Sequence, residues 1–422
     1  MAPSTDPAAG ALLERLLRGI EQELPRAIAL RHRLHAEPEL AHAEEHTAAS
    51  IAAELPVASE AAAGTGRLAR VEGGSDRGGD HGGDRGGDQG GDGGGAGPRG
   101  PIAVRAELDG LPMRERTGAA FAAGGEAMHA CGHDVHMAAL VALVRAAYEL
   151  RDALPAPLLA VFQPSEEAYP SGARQLAEGP LAAIAPAAVV AAHVHPELAW
   201  GTVALDPGIV NASCDTVEIT IEGEPSHGAY PHQGRDPILA IAQVVVALHA
   251  QLGRRVDPVS PASLTVGVLE GGSAENVIPA RARARAALRA YRQHDRLALR
   301  ALVEEVAHGI AAAHGCRASV ALLAGEPALE NDADIVGRAR PLLARAELAP
   351  AGAWRSCASD DFAFFGALAP LAMAFVGLDG ADGFATRPLH HPELLPPDAA
   401  VGAVARTQAV LYLAAATHVG AG

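Results

Sequence analysis

The chain has 422 residues, 49% of them hydrophobic and 20% charged, with a formal net charge of −17 at pH 7. That length exceeds what one hydrophobic core usually serves, so two domains are expected. The acidic balance argues against nucleic-acid binding, which needs a basic surface. No apolar run reads as long and pure enough to span a bilayer. The amino-terminal MAPSTDPAAGALLERLLRGI has no basic stretch ahead of an apolar core, so no secretory leader is expected. Four cysteines, Cys131, Cys214, Cys316 and Cys357, lie at no disulfide-like spacing, which fits a reduced, cytoplasmic setting. Every basic side chain other than histidine is arginine. With so much alanine, glycine and proline, this reflects a GC-rich coding bias rather than a functional device.

In chain order, residues 8–55 carry helical apolar spacing at Leu12, Leu13, Leu16 and Leu17, then at Ile28, Leu30 and Leu34, with a break at Pro38. Residues 73–100 are low-complexity, with aspartate in every fourth place from Asp76 to Asp92 and glycine pairs between. Such a stretch has almost nothing to bury and reads as a surface insertion. A stacked calcium-binding repeat would need an apolar position that is missing here. Arg-Gly-Gly triplets also occur in RNA-binding tails, but each arginine here is matched by an aspartate. Strands follow at 102–109, 157–162 and 187–192, ending in Glu107 and Asp109, in Gln163 to Glu167, and in His193-Val194-His195. A helix from Val135 to Leu150 lies between the first two. Strands separated by helices, each ending in acidic or metal-capable residues, predict an open α/β sheet with its site beyond the strands' carboxyl ends.

After about residue 207 the pattern changes. Strand 215–222, helix 237–252, strands 263–269 and 277–291, helix 294–314 and strand 317–323 make the β-α-β-β-α-β order of a ferredoxin-like fold. Helices are expected to return from about residue 325. The predicted architecture is therefore a catalytic α/β domain, 1–207 and 325–422, interrupted by a smaller domain at 208–324.

The densest chemistry lies in Met128-His129-Ala130-Cys131-Gly132-His133-Asp134-Val135-His136. Thiolate and imidazole are ligands that zinc and transition metals prefer. Gly132 lets a tight turn aim Cys131 and His133 at one point. A two-metal hydrolytic site needs ligands from several strands and a base for the attacking water. Cys131, His133, Glu167, His193 and His390 would supply the ligands. Glu166 would be free as general base and then acid, and Asp109 is placed to hold a ligand histidine. Spacing alone does not decide between His193 and His195, or between His390 and His391. It also leaves open Cys131 as a nucleophile, or a non-catalytic metal-binding or interaction protein.

The segments LRHRLHAEPEL, AELDGLPM, MHACGHDVH, FQPSEE, HGAYPHQGRDPI, GGSAENVIPA, SDDFAFF and LHHPE run in order from about residue 29 to the carboxyl terminus. Together they resemble the M20 metallopeptidase family in its amidohydrolase branch, subfamily D. That branch includes hippurate hydrolases, N-acyl-amino-acid amidohydrolases and auxin-conjugate hydrolases. The resemblance implies a di-metal catalytic domain with an inserted lid and dimerisation domain, and a homodimer or higher homo-oligomer. It implies two divalent ions on Cys131, His133, Glu167, His193 and His390, manganese or zinc foremost, with cobalt and nickel as alternatives. Glu166 matches the catalytic base, and His390 is preferred over His391 because the family's ligand directly follows the leucine. His227 matches a lid histidine that reaches the partner subunit's site and stabilises the oxyanion. Asn276 and Arg289 match positions that hold the substrate's carboxylate. The implied activity is hydrolysis of N-acyl amino acids, with a dipeptidase of the same family as the nearest alternative. Glu107 departs from the family's usual aspartate, and the 73–100 insertion is not a family feature.

Overall fold

The computed structural model describes residues 7–74 and 100–419, so all but the edges of the glycine-rich insertion lies outside the described residues. The chain forms two compact units: Met1–Gly208 with Glu330–Trp354 and Phe364–Gly422, and Ile209–Leu329 with Arg355–Ala363.

The larger unit opens with α1 (Pro7–Ala36) and α2 (Glu45–Glu54). Leu13, Leu16, Ile20, Ala27, Leu30 and Leu34 recur at helical spacing and are buried, so one stripe of α1 faces the core. The helix continues past Pro25 and stops two residues before Pro38. Strands β1 (Ser59–Ala62), β2 (Gly66–Val71) and β3 (Ile102–Glu107) lead to α3 (His133–Glu149), then β4 (Leu158–Gln163), β5 (Ala188–Ala199) and β6 (Thr202–Ala204). Every residue of β3 and β4 is buried, as expected of central strands covered on both faces. β5 runs well beyond the expected strand, so His193 stands within it rather than after it.

In the smaller unit, β7 (Ser213–Glu222), α4 (Pro237–Arg255), β8 (Ala262–Gly271), β9 (Arg281–Ala290), α5 (Gln293–Ala313) and β10 (Arg317–Ala324) form an antiparallel sheet of order β8-β9-β7-β10. This is the expected β-α-β-β-α-β fold. The single strand expected at 277–291 is interrupted, because Pro279 has no N–H to give a ladder; Val277–Ile278 pairs separately with Ser226–His227. Along β7 and β9 buried and more exposed residues alternate, so one sheet face packs on α4 and α5. Asp236 caps α4, accepting from the N–H groups of Ile238 (2.9 Å) and Leu239 (3.2 Å), with Pro237 in the first turn. Arg355–Ala363, which the sequence reading places in the larger domain, belongs to the smaller unit. Ser356 N–H donates to Val210 O at 2.9 Å, and Arg289 Nη1 donates to Cys357 O at 2.8 Å.

The chain then returns to the larger unit through α6 (Ala333–Leu343), β11 (Ala349–Pro350), β12 (Leu371–Asp379) and α7 (Ala399–Val419). The eight-stranded sheet has the order β1-β2-β4-β3-β5-β12-β6-β11. Its central four strands, β4, β3, β5 and β12, are mutually parallel. β12 is a strand in the stretch where helices are expected to return, and the sequence reading does not include it. Its apolar run LAMAFVGLD, buried almost throughout, was the available signal. The expectation of no bilayer-length apolar segment also needs correction. Pro237–Arg255 and Ala399–Thr417 are both long and apolar enough by composition. The second is 89% buried and is the core helix packed on α1, α3 and the sheet, whereas the first is 28% buried.

Candidate metal centre

Seven of the residues singled out in the sequence stand in the larger unit, and the structure brings them together. Asp109 follows β3, Cys131 and His133 stand at the head of α3, Glu166 and Glu167 follow β4, and His193 is on β5. His390 comes from the loop between β12 and α7. Gly132, at φ 84°, turns the chain into α3; a Cβ there would lie 2.5 Å from Val194 Cγ2. Only glycine meets both conditions.

Donor atoms of Cys131, Glu167 and His390 lie within 4.8 Å of one another, as do those of His133, Glu166 and Glu167. Cys131 Sγ is 3.5 Å from His193 Nε2, His390 Nε2 is 3.2 Å from Glu167 Oε1, and His133 Nε2 is 3.8 Å from Glu166 Oε2. His391 is engaged locally instead: its Nδ1 accepts from Glu393 N–H at 3.1 Å. His195 packs instead against Trp354 and Phe375, with ring centroids 5.1 and 6.4 Å apart.

The outer bonds of the histidines decide which nitrogen each presents. His133 Nδ1 is 2.8 Å from Asp109 O, and His193 Nδ1 is 2.7 Å from Val194 O. A carbonyl only accepts, so each Nδ1 carries the proton and each Nε2 keeps a lone pair for the cluster. This is how metal-ligating histidines are usually oriented. His133 Nε2 is buried without a hydrogen-bond partner. Glu167 Oε1 is buried, and its near neighbour is His390 Nε2 at 3.2 Å. A buried donor atom left without a partner, as at His133, is rare in folded proteins. With a thiol, imidazoles and carboxylates converging, the residues fit divalent metal ions.

Electrostatics agree with that reading. Burial alone would lower the His133 pKa, but Glu107, Asp109 and Glu167 outweigh it and raise it. Burial, reinforced by His136, holds His193 well below its usual value and therefore neutral. Burial would raise Glu167, yet His390 and His133 bring it below its ordinary value. The centre is an acidic pocket that draws positive charge.

Asp109 reaches His133 through its backbone carbonyl; its carboxylate is 3.9 Å from the same Nδ1. The carboxylate oxygens instead accept from Glu166 N–H (3.1 Å) and Glu167 N–H (2.9 Å). Asp109 therefore holds the turn that carries both glutamates.

The sequence assigns no role to His136 or Arg105, and it marks Glu107 only as a strand end and a departure from the family. His136 Nε2 accepts from Val194 N–H at 3.0 Å, so its proton sits on Nδ1 and goes to Glu107 Oε2 at 2.8 Å. Both ring nitrogens are committed, and His136 serves as a support rather than an open ligand. Arg105 donates to Glu107 and to Gln163 Oε1 (2.8 Å for the latter). Burial would raise the Glu107 carboxyl, but Arg105 and His136 keep it well below the usual range. The recurrence of His133 and His136 one helical turn apart was the sequence signal.

His227, Asn276 and Arg289 belong to the smaller unit. Gly228 N–H donates to Asn276 O at 2.7 Å, which sets His227 and Asn276 side by side, both exposed. Arg289 lies on β9, its guanidinium held by Cys357 O.

The cluster gathers about the parallel strands at the centre of a mixed eight-stranded sheet, and its donor set is that of a metal-dependent hydrolase. The model of peptidase family M20/M25/M40 matches residues 103–411, a stretch that holds every residue of the cluster. The chain is 37% identical over 292 residues to the N-acetyl-L-cysteine deacetylase of Bacillus subtilis, covering 69% of this chain and 68% of that protein. It is 33% identical over 319 residues to the N-acetyldiaminopimelate deacetylase of Shouchella clausii, covering 74% and 82%. Among solved structures it resembles a dinuclear metal-binding M20 peptidase from Bacillus subtilis, with a TM-score of 0.77 and 27% identity over 93% of this chain and 98% of the other. The chain belongs to the M20 peptidase family.

Proposed function

We propose that the protein is a metal-dependent amidohydrolase that splits N-acyl amino acids into a carboxylic acid and a free amino acid. The observation that carries this reading is the convergence of buried ligand atoms beside a second carboxylate, Glu166, on a turn held by Asp109. Cys131, His133, Glu167, His193 and His390 would hold two divalent ions, manganese or zinc foremost, with cobalt or nickel also fitting this donor set. When bound, the ions polarise the amide carbonyl and make water acidic enough to be deprotonated near neutral pH.

Glu166 removes a proton from the attacking water, whose oxygen adds to the carbonyl carbon. It then returns that proton to the nitrogen as the C–N bond breaks. Asp109 keeps the base in place through the backbone. His136 and Glu107 keep Val194, and with it His193, in register. The family resemblance adds oxyanion stabilisation by His227 and recognition of the substrate's α-carboxylate by Asn276 and Arg289. A guanidinium suits that task because it pairs with a carboxylate through two bonds. It also adds a homodimer whose partner subunit receives His227. Four cysteines with no disulfide among them support a reduced, cytoplasmic setting. The acetyl substrates of the relatives put N-acetyl amino acids first in the substrate class.

The test is hydrolysis of N-acetyl, N-benzoyl and indole-acetyl amino acids by metal-free protein, by protein resupplied with manganese or zinc, and by Glu166→Ala. Activity that needs metal and falls about 10²–10⁴-fold in the variant is expected. Equal activity without metal would sink this reading and turn attention to Cys131, whose sulfur already lies beside His193.

A further inference from the structure

Glu44 stands at the N-cap position of α2, yet its side chain makes no cap bond there. Glu39 does that work, accepting from His46 N–H at 3.2 Å and Thr47 N–H at 2.7 Å. Glu44 is thereby released for another task. It is fully buried, and its Oε1 accepts from Ser165 N–H at 2.8 Å across 121 residues of sequence. Its other oxygen accepts from Thr65 Oγ1 at 2.7 Å.

Ser165 immediately precedes Glu166 and has φ 50°, a left-handed conformation that a non-glycine residue keeps only when its surroundings impose it. Those surroundings are visible. Ser165 Oγ accepts from His42 N–H at 2.9 Å and lies 2.9 Å from His42 Nδ1. His42 is itself left-handed, at φ 69°. With the Asp109 bonds, three successive amides, those of Ser165, Glu166 and Glu167, are gripped by two buried carboxylates from distant segments. Asp109 alone fixes the second and third amides. The first, which sets the direction in which the turn enters, is left to Glu44.

We propose that Glu44 is a positioning residue for the base. By holding Ser165 in its left-handed state it fixes where the Glu166 carboxylate points, and it touches neither substrate nor metal. This rests on the amidohydrolase reading given above. A displacement of the order of 1 Å at a reacting group costs about 10²-fold in rate. Glu44→Ala is therefore expected to lower kcat about 100-fold with KM changed less than about twofold. Glu44→Gln keeps one acceptor oxygen for Ser165 N–H and should fall between Ala and wild type, about 10-fold down in kcat. Glu39→Ala is the control, since it damages the cap of α2 in the same segment without touching the turn.

The readout that does not depend on activity is amide hydrogen exchange in a peptide covering 163–168, measured on full-length, metal-loaded protein. Faster exchange there in Glu44→Ala and Glu44→Gln, with wild-type rates in Glu39→Ala, is the expected result. If Glu44→Ala does not fold, Glu44→Gln decides. Unchanged exchange, unchanged kcat, or an equal loss in Glu39→Ala would overturn the proposal. A wild-type protein that hydrolyses none of the acyl amino acids would defeat the functional reading alone. Exchange in the 163–168 peptide would still decide whether Glu44 holds the turn.

Discussion

The two sheets treat charge in opposite ways. In the larger unit β3 and β4 are buried on both faces, so polar side chains on them must be satisfied by other buried groups. Arg105 bonds to Glu107 and Gln163, and Glu107 bonds to His136, leaving the group fully connected. In the smaller unit one sheet face lies open, and its ion pairs, Arg283–Glu270 at 3.1 Å and Arg285–Glu218 at 3.3 Å, stand in solvent. The difference is functional. A sheet buried on both faces can fix side chains at its strand ends with little freedom, which a multi-ligand centre requires. A sheet with an open face carries charge cheaply but holds it loosely.

Breaking the buried group should have the largest effect on stability. Arg105→Ala leaves Glu107 buried and unpaired and is expected to destabilise the larger unit by about 3–5 kcal/mol. Denaturant unfolding followed for that unit checks this, and a loss under about 1 kcal/mol would show that Glu107 is solvated or protonated instead. A second buried charge lies in the same unit. Burial would lower the His35 pKa, but Asp134 and Glu115, bonded to its two nitrogens at 3.0 and 3.1 Å, raise it to about 9. Because the folded value lies above the ordinary one, the stabilisation is whole below pH 6.5. It is lost as pH climbs through about 9, up to roughly 3 kcal/mol in all. Unfolding midpoints should fall across that window in wild type and fall less in His35→Gln; parallel curves would remove His35 as the cause.

The smaller unit sharpens the contrast from the other side. Asp236→Ala removes the cap of α4 and should cost about 1 kcal/mol, read as a shift in that unit's thermal midpoint. Arg283→Ala on the open face should cost no more than about 0–1 kcal/mol. A loss there as large as that at Arg105 would erase the distinction between the two sheets.

Much of the fold was legible because hydrophobic period and strand-end chemistry are local signals. The β-α-β-β-α-β order of the smaller unit and the fully apolar runs of β3 and β4 could be read directly. β12 was missed because a short apolar run looks the same in a strand and in a buried helix. Arg355–Ala363 was misplaced because nothing local says which sheet a loop will join.

The sequence by itself determined which chemistries are present: a thiol and histidine around a glycine that no other residue can replace, paired glutamates after a strand, and the motif order of the M20 family. Only the tertiary structure decided what each group does with its atoms. It leaves His193 Nε2 facing Cys131 while His195 packs on Trp354, and it brings His390 rather than His391 to Glu167. It commits both nitrogens of His136, and it turns Glu44 from its own helix to a serine 121 residues away. The physical reason is that a ligand or a base is defined by the lone pair left over after every other hydrogen bond is made. Those other bonds come from segments that are neighbours only once the chain has folded.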